Sequence, residues 1–173
     1  MRHVKRQRAV CMTNRGKDFE GEVRDSIEKV DGVYILRLYD PQGGYLSVAN
    51  PCDFIAYKKP TMYMLECKSH KGNTLPIYSN DPKKKYGVFT NTQWEGMLKA
   101  SEKGIVAGAI VWWIDRDVTK FIPIDVLQHY RDMGMKSIRY DDPFSAIFPI
   151  KGTKKRIYFD YDFTEFFNIF GGS

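Results

Sequence analysis

Glu66 and Lys68 stand two positions apart in Met64-Leu65-Glu66-Cys67-Lys68-Ser69-His70, inside an apolar run that reads as a strand. Successive strand side chains alternate faces, so the acid and the base share one side while Leu65 and Cys67 take the other. Asp53 opens the preceding apolar run, and a hairpin of that length returns the chain so that Glu66 lies near it. Two carboxylates and an ammonium would then converge, which is unfavourable without compensation, because like charges repel and each resists desolvation. A divalent cation removes the conflict. An all-oxygen donor set suits Mg²⁺, which keeps several waters and borrows oxygens from a phosphate. Such an ion activates water and neutralises charge growing on phosphorus oxygens, while Lys68 orients the water or stabilises the pentacovalent state; the chemistry expected is phosphodiester hydrolysis. Asp81-Pro82-Lys83 fits the same acid-x-Lys pattern in a proline and lysine loop. Strand context and the upstream acid therefore carry the reading, and a surface ion pair on an edge strand is the alternative.

The elements that must position these residues can be read outward from them. Phe19, Val23, Ile27 and Val30 recur at helical spacing over 17–30, and Asp31-Gly32 ends that helix. Three apolar runs bounded by turn signals follow, at 33–40, 53–59 and 62–70, and read as a meander. Residues 73–88, with Pro76, Pro82 and a lysine triplet, read as an exposed loop. Thr92 and Glu95 form a capping box opening a helix that turns Trp94, Met97, Leu98 and Ser101 inward and stops at Gly104. The continuous apolar run 105–114 reads as a central strand covered on both faces, with 118–124 paired beside it. Trp112 and Trp113 fall on its opposite faces as core or interface residues, and Gly108 permits close packing. A short helix near 125–133 and an aromatic tail, read as a strand plus a helix on the sheet or on a second subunit, complete an α/β chain.

The length of 173 residues, 43% of them hydrophobic, suits one compact domain, 14–173, behind a basic arm, 1–13, expected to be disordered until DNA arrives. No stretch approaches the roughly 18 to 20 apolar residues of a spanning helix, and the basic N-terminus has no apolar core behind it. Cys11, Cys52 and Cys67 make neither a disulfide framework nor a zinc spacing, which points to a reducing cytosol. Lysine and arginine number 27 against 21 acids, a formal charge of +6, and cluster at 2–8, 58–60, 81–87 and 151–156 with Tyr57, Tyr86 and Tyr158 interleaved. That pattern fits a polyanion such as nucleic acid.

Taken in order, Asn14-Arg15-Gly16, Phe19-Glu20 on the first helix, Asp53, Glu66-Cys67-Lys68 and Thr92-Gln93 resemble the RecU-type Holliday junction resolvases of Gram-positive bacteria and their phages, members of the PD-(D/E)XK nuclease superfamily. The resemblance runs from Asn14 to the stretch 147–161. It implies a central mixed β-sheet flanked by helices, a restriction-endonuclease-like nuclease core. It implies that Asp53 and Glu66 bind metal together with the Cys67 backbone carbonyl, and that Lys68 is the catalytic lysine. Glu20 matches the helix acid near the metal, and Gln93 the glutamine opening the helix after the core strands. Arg15 and Lys17 lie in the basic segment expected to contact DNA; His70, Lys71, Lys83, Lys84 and Lys85 are further candidate DNA contacts. Two features depart from the family. Cys52 separates Pro51 from Asp53, and the segment 40–51 is short where the family projects a long stalk.

The function expected is that of a homodimeric endonuclease using Mg²⁺, with Mn²⁺ able to substitute. It would resolve four-way junctions in branched DNA by paired nicks, leaving 5′-phosphate and 3′-hydroxyl ends. Symmetric resolution needs two sites related by a two-fold axis. Its place would be the cytoplasm, that of a bacterial host if the chain is phage-encoded, with no membrane partner. One alternative is a restriction-type or repair nuclease of the same superfamily acting on duplex. The other is a non-catalytic DNA-binding protein, whose binding would be salt-dependent and need no metal.

Overall fold

The structure, a computed structural model, describes residues 15–39, 49–155 and 159–172, the side chain of Lys84 excepted. The basic arm, Asn14, Cys11 and most of the shortened segment between the first two strands lie outside the described residues. In chain order the elements are α1 (Arg15–Ile27), β1 (Val33–Arg37), β2 (Phe54–Lys58), β3 (Thr61–His70), β4 (Thr74–Pro76), α2 (Asn91–Ser101), β5 (Val106–Trp113), β6 (Val118–Pro123), α3 (Ile124–Asp132), β7 (Ser137–Arg139), β8 (Phe148–Lys154), β9 (Phe159–Asp162) and α4 (Thr164–Ile169).

Strands β1, β2 and β3 form the expected meander, with Tyr34 opposite Tyr57 and Tyr57 opposite Met62. β3 then runs parallel to β5, because α2 crosses between them, and parallel neighbours require such a crossover. β6, β8 and β9 then join antiparallel, giving a seven-stranded mixed sheet in the order β1-β2-β3-β5-β6-β8-β9, while β4 and β7 form a separate pair. Helices pack on both faces, α1 and α4 on one and α2 and α3 on the other. One core holds Phe19 and Val23 of α1 and Phe166 of α4 against Phe54, Tyr63, Leu65 and Ile110. The other holds Trp94 and Met97 of α2 and Leu127 of α3 against Ala109, Val111 and Trp113. β5 is buried on both faces, and Trp112 and Trp113 divide between the two cores as alternation requires. Among the described residues no helix is long and apolar enough to cross a membrane.

Three readings need correction. Residues 73–88 are not wholly an exposed loop: β4 pairs with β7, Leu75 and Ile77 are fully buried, and Arg131 Nη1 donates to the carbonyls of Ile77 (2.7 Å) and Lys85 (2.8 Å). The partner strand β7 lies far downstream and is only three residues long, so local pattern hid it. The capping box begins at Thr90 rather than Thr92: Gln93 N donates to Thr90 Oγ1 (3.1 Å) and Thr90 N donates to Gln93 Oε1 (3.0 Å). Starting there, α2 turns Ala100 inward after Met97, not Ser101. β8 was also not foreseen, and the aromatic tail closes on the sheet as β9 and α4.

Gly108 of β5 lies close against β6: a Cβ there would lie 2.4 Å from the Ile122 carbonyl oxygen and 2.8 Å from the Phe121 ring. A Cβ built on Gly21, on α1, would meet no described residue outside its own helix turn within 4 Å. Gly108→Ala is expected to cost about 1–3 kcal/mol, and Gly21→Ala to gain up to about 1 kcal/mol. Thermal melts read both, at about 2–4 °C per kcal/mol for a chain this size.

Candidate active site

Glu66 lies mid-sheet, with Ala109 of β5 as its parallel neighbour, and is 1% exposed. Two groups reach its Oε1: Lys68 Nζ at 2.6 Å and Gln93 Nε2 at 2.6 Å. Lys68 Nζ also donates to Gln93 Oε1 (3.2 Å) and stands 5.5 Å over the Phe89 ring. Gln93 can do this because the capping box holds it in the first turn of α2, facing the sheet. Glu66 Oε2 is buried with no hydrogen-bond partner among the described residues.

Asp53 sits one residue before β2. Its N–H donates to the Leu65 carbonyl (3.2 Å), its carbonyl accepts from Leu38 N (2.8 Å), and Oδ2 accepts from Cys67 N (2.7 Å). The β2–β3 ladder ends at Phe54 opposite Leu65, so Cys67 has a side chain where the next rung would be. The N–H and C=O of one strand residue point the same way, so the Cys67 carbonyl faces the same flank of β3 as its N–H. Glu20 projects from α1 and pairs with Arg37 of β1. Asp53, Glu66, Lys68, Gln93 and the Cys67 backbone are thus brought together, with Glu20 near enough for its charge to act on Glu66.

Burial dominates the electrostatics of the site. Burial pushes the Glu66 carboxyl from its ordinary value near 4.5 up to about 8, Lys68 pulls it down, and Asp53 and Glu20 push it further up. Burial also raises the Cys52 thiol to about 12, with Glu66 and Asp53 adding to it. Cys67 is held well above its usual range by burial first, then by Asp53 and Glu66. No group of three or more His, Cys, Asp or Glu among the described residues gathers to hold an ion. Mg²⁺ asks for less, one or two carboxylates plus waters and substrate oxygens. Glu66 Oε2, without a partner among the described residues, fits that demand, with Asp53 and a backbone carbonyl beside it.

The candidate DNA contacts divide. His70 follows Lys68 on the same face of β3, half-buried, and Lys71 is exposed just beyond it. Lys83 is exposed, while Lys85 donates to Glu95 Oε1 (2.9 Å) and lies over the Tyr86 ring; the Lys84 side chain lies outside what is described. Arg15 and Lys17 line a groove of about 1080 Å³ between α1 and the β8–β9 hairpin, which none of Asp53, Glu66 or Lys68 borders. Asp81 of the look-alike triplet accepts from Lys83 N (2.9 Å) and caps a single turn, a structural role. Arg37, Phe89 and Thr90 escaped sequence reading. Alternation with Val33 and Ile35 places Arg37 on the α1 side and was a usable signal; Phe89 had none.

A carboxyl raised in the folded chain keeps its proton there while the unfolded chain releases it, so the folded state binds more protons between 4.5 and about 8. Stability is then fully present below that window and is lost as pH rises through it. In chelator, Glu66→Gln is expected to match the wild type near pH 5 and to exceed it at pH 8.5 by a margin on the order of a few kcal/mol. Paired thermal melts across pH measure this difference.

No protein-family model matches the chain, and no curated protein does. Among solved structures it is similar to Hjc, a Holliday junction resolvase from the archaeal hyperthermophile Archaeoglobus fulgidus. The two share 20% identity over 64% of this chain and 78% of that one, with a TM-score of 0.44.

Proposed function

We propose that the chain is a divalent-metal-dependent endonuclease that resolves four-way junctions in branched DNA. The observation that supports it best is Glu66: a carboxylate buried at the sheet centre, one oxygen shared by Lys68 and Gln93 and the other without a partner among the described residues. Such an arrangement costs stability, and a structural role does not require it. Mg²⁺ or Mn²⁺ held by Asp53, Glu66 and the Cys67 carbonyl would supply Lewis-acid stabilisation of the phosphate and activate water.

The chain's own groups do the rest. Lys68 carries a positive charge on the face of the two acids, where it orients the nucleophile and offsets charge building on phosphorus. Gln93 donates to Glu66 and accepts from Lys68, so it fixes both side chains at once. Glu20, held by Arg37, adds negative potential that favours a cation. His70 and Lys71 continue along β3 as contacts for the DNA backbone, with Arg15, Lys17 and the lysines at 83–85 engaging more distant phosphates. In-line attack breaks the P–O3′ bond and leaves 5′-phosphate and 3′-hydroxyl ends. Paired nicking needs two copies about a two-fold axis, so the working unit is a homodimer. RecU-type kinship, phage origin and action in a bacterial host's cytoplasm belong to the same reading.

The test is cleavage of a labelled four-way junction beside a duplex of the same sequence, in Mg²⁺, in Mn²⁺ and in chelator. Symmetric, metal-dependent cuts in opposite arms are expected. Asp53→Asn, Glu66→Gln and Lys68→Ala should each lower the rate about a thousandfold or more while junction binding persists. Gln93→Ala should lower it about 10- to 100-fold, the usual range for a residue supporting a ligand. Equal cutting of duplex would make the chain a general nuclease, and binding without cutting would remove the enzyme.

A further inference from the structure

One face of the meander is left open in the described structure, and it is the face of the candidate site. Tyr34 and Leu36 of β1 stand opposite Tyr57 and Ile55 of β2, which stand opposite Met62 and Met64 of β3. Opposite residues project to the same side of a sheet. Four of the six are large and strongly exposed: Tyr34 at 65%, Leu36 at 46%, Tyr57 at 43% and Met62 at 43%. Met62 and Met64 share their side of β3 with Glu66 and Lys68, so the stripe leads directly to the carboxylates.

We propose that this stripe is a stacking platform for unpaired bases of the DNA strand whose phosphate reaches Glu66. The inference rests on the nuclease reading and names the substrate feature it selects: bases splayed near a branch point. Tyr57 lies four residues along β2 from Asp53, roughly 13 Å at strand spacing, which a single strand covers in about two to four nucleotides. Aromatic rings on an open sheet face hold bases by their π-faces whatever the sequence. Tyr34 and Tyr57 form a cross-strand pair able to do so, flanked by apolar Leu36 and Met62.

A second copy of the chain suits the stripe less well. The exposed side chains offer on the order of 400 Å², about half of what one partner brings to a standard interface. A copy seated there would stand over Met64, two residues from Glu66, and block the approach of a phosphate backbone.

The test is binding by the full chain, in chelator so that cleavage plays no part, to a fork with single-stranded arms and to a blunt duplex of equal length. Wild type is expected to prefer the fork. Tyr34→Ser with Tyr57→Ser should reduce fork affinity by about tenfold or more and leave duplex affinity and its salt slope unchanged, while the Tyr→Phe pair retains the preference. An unchanged fork preference in the serine variant would overturn the proposal. So would an equal loss on both DNAs accompanied by a shift from dimer to monomer in sedimentation, which would assign the face to a second copy. Loss of cleavage activity in the nuclease assay would leave this binding result standing on its own.

Discussion

A carboxylate buried between the central strands of a sheet has to be compensated, and at Glu66 the compensation comes from one lysine and one glutamine, both on a single oxygen. Much of the fold serves to arrange that contact. The parallel β3–β5 pair buries Glu66 beside a small residue, Ala109, and the crossover that parallel pairing demands is α2, whose first turn supplies Gln93. The capping box that starts α2 thus does two things at once: it satisfies the helix end, and it aims an amide at a carboxylate and an ammonium.

The compensation is incomplete, and its shortfall explains the chemistry proposed. Lys68 lowers the Glu66 carboxyl while burial, Asp53 and Glu20 raise it, and burial wins. The neighbouring thiols of Cys52 and Cys67 are raised by the same burial and the same negative charge. A buried carboxyl with one oxygen unpartnered among the described residues and hard oxygen donors beside it is stabilised by a cation, and phosphate oxygens can complete the shell of Mg²⁺. Arg37 shows that the chain itself brings a cation to this region, where it pairs with Glu20.

Strand alternation made much of this legible in advance. Periodicity of two placed Glu66 with Lys68 and against Leu65 and Cys67, and the hairpin length returned Asp53 to their side, because each depends on local geometry alone. The central strand and its neighbour were readable from a continuous apolar run for the same reason. What local pattern could not carry was pairing between distant, short segments, such as β4 with β7, and so a buried strand looked like a loop. The capping box slipped by two residues because Thr90 and Thr92 both precede plausible partners, and only the reciprocal bonds with Gln93 decide between them. The open stripe at Tyr34 and Tyr57 needed the register of three strands and the knowledge of which face the helices leave uncovered.

The most direct test of the metal-binding claim is a Mn²⁺ titration followed by electron paramagnetic resonance, on wild type and on Asp53→Asn and Glu66→Gln, without DNA. Bound Mn²⁺ in the wild type that Mg²⁺ displaces, and that either substitution removes, is the result expected. Equal Mn²⁺ binding by all three chains, or none by the wild type at millimolar ion, would contradict a cation site at Asp53 and Glu66.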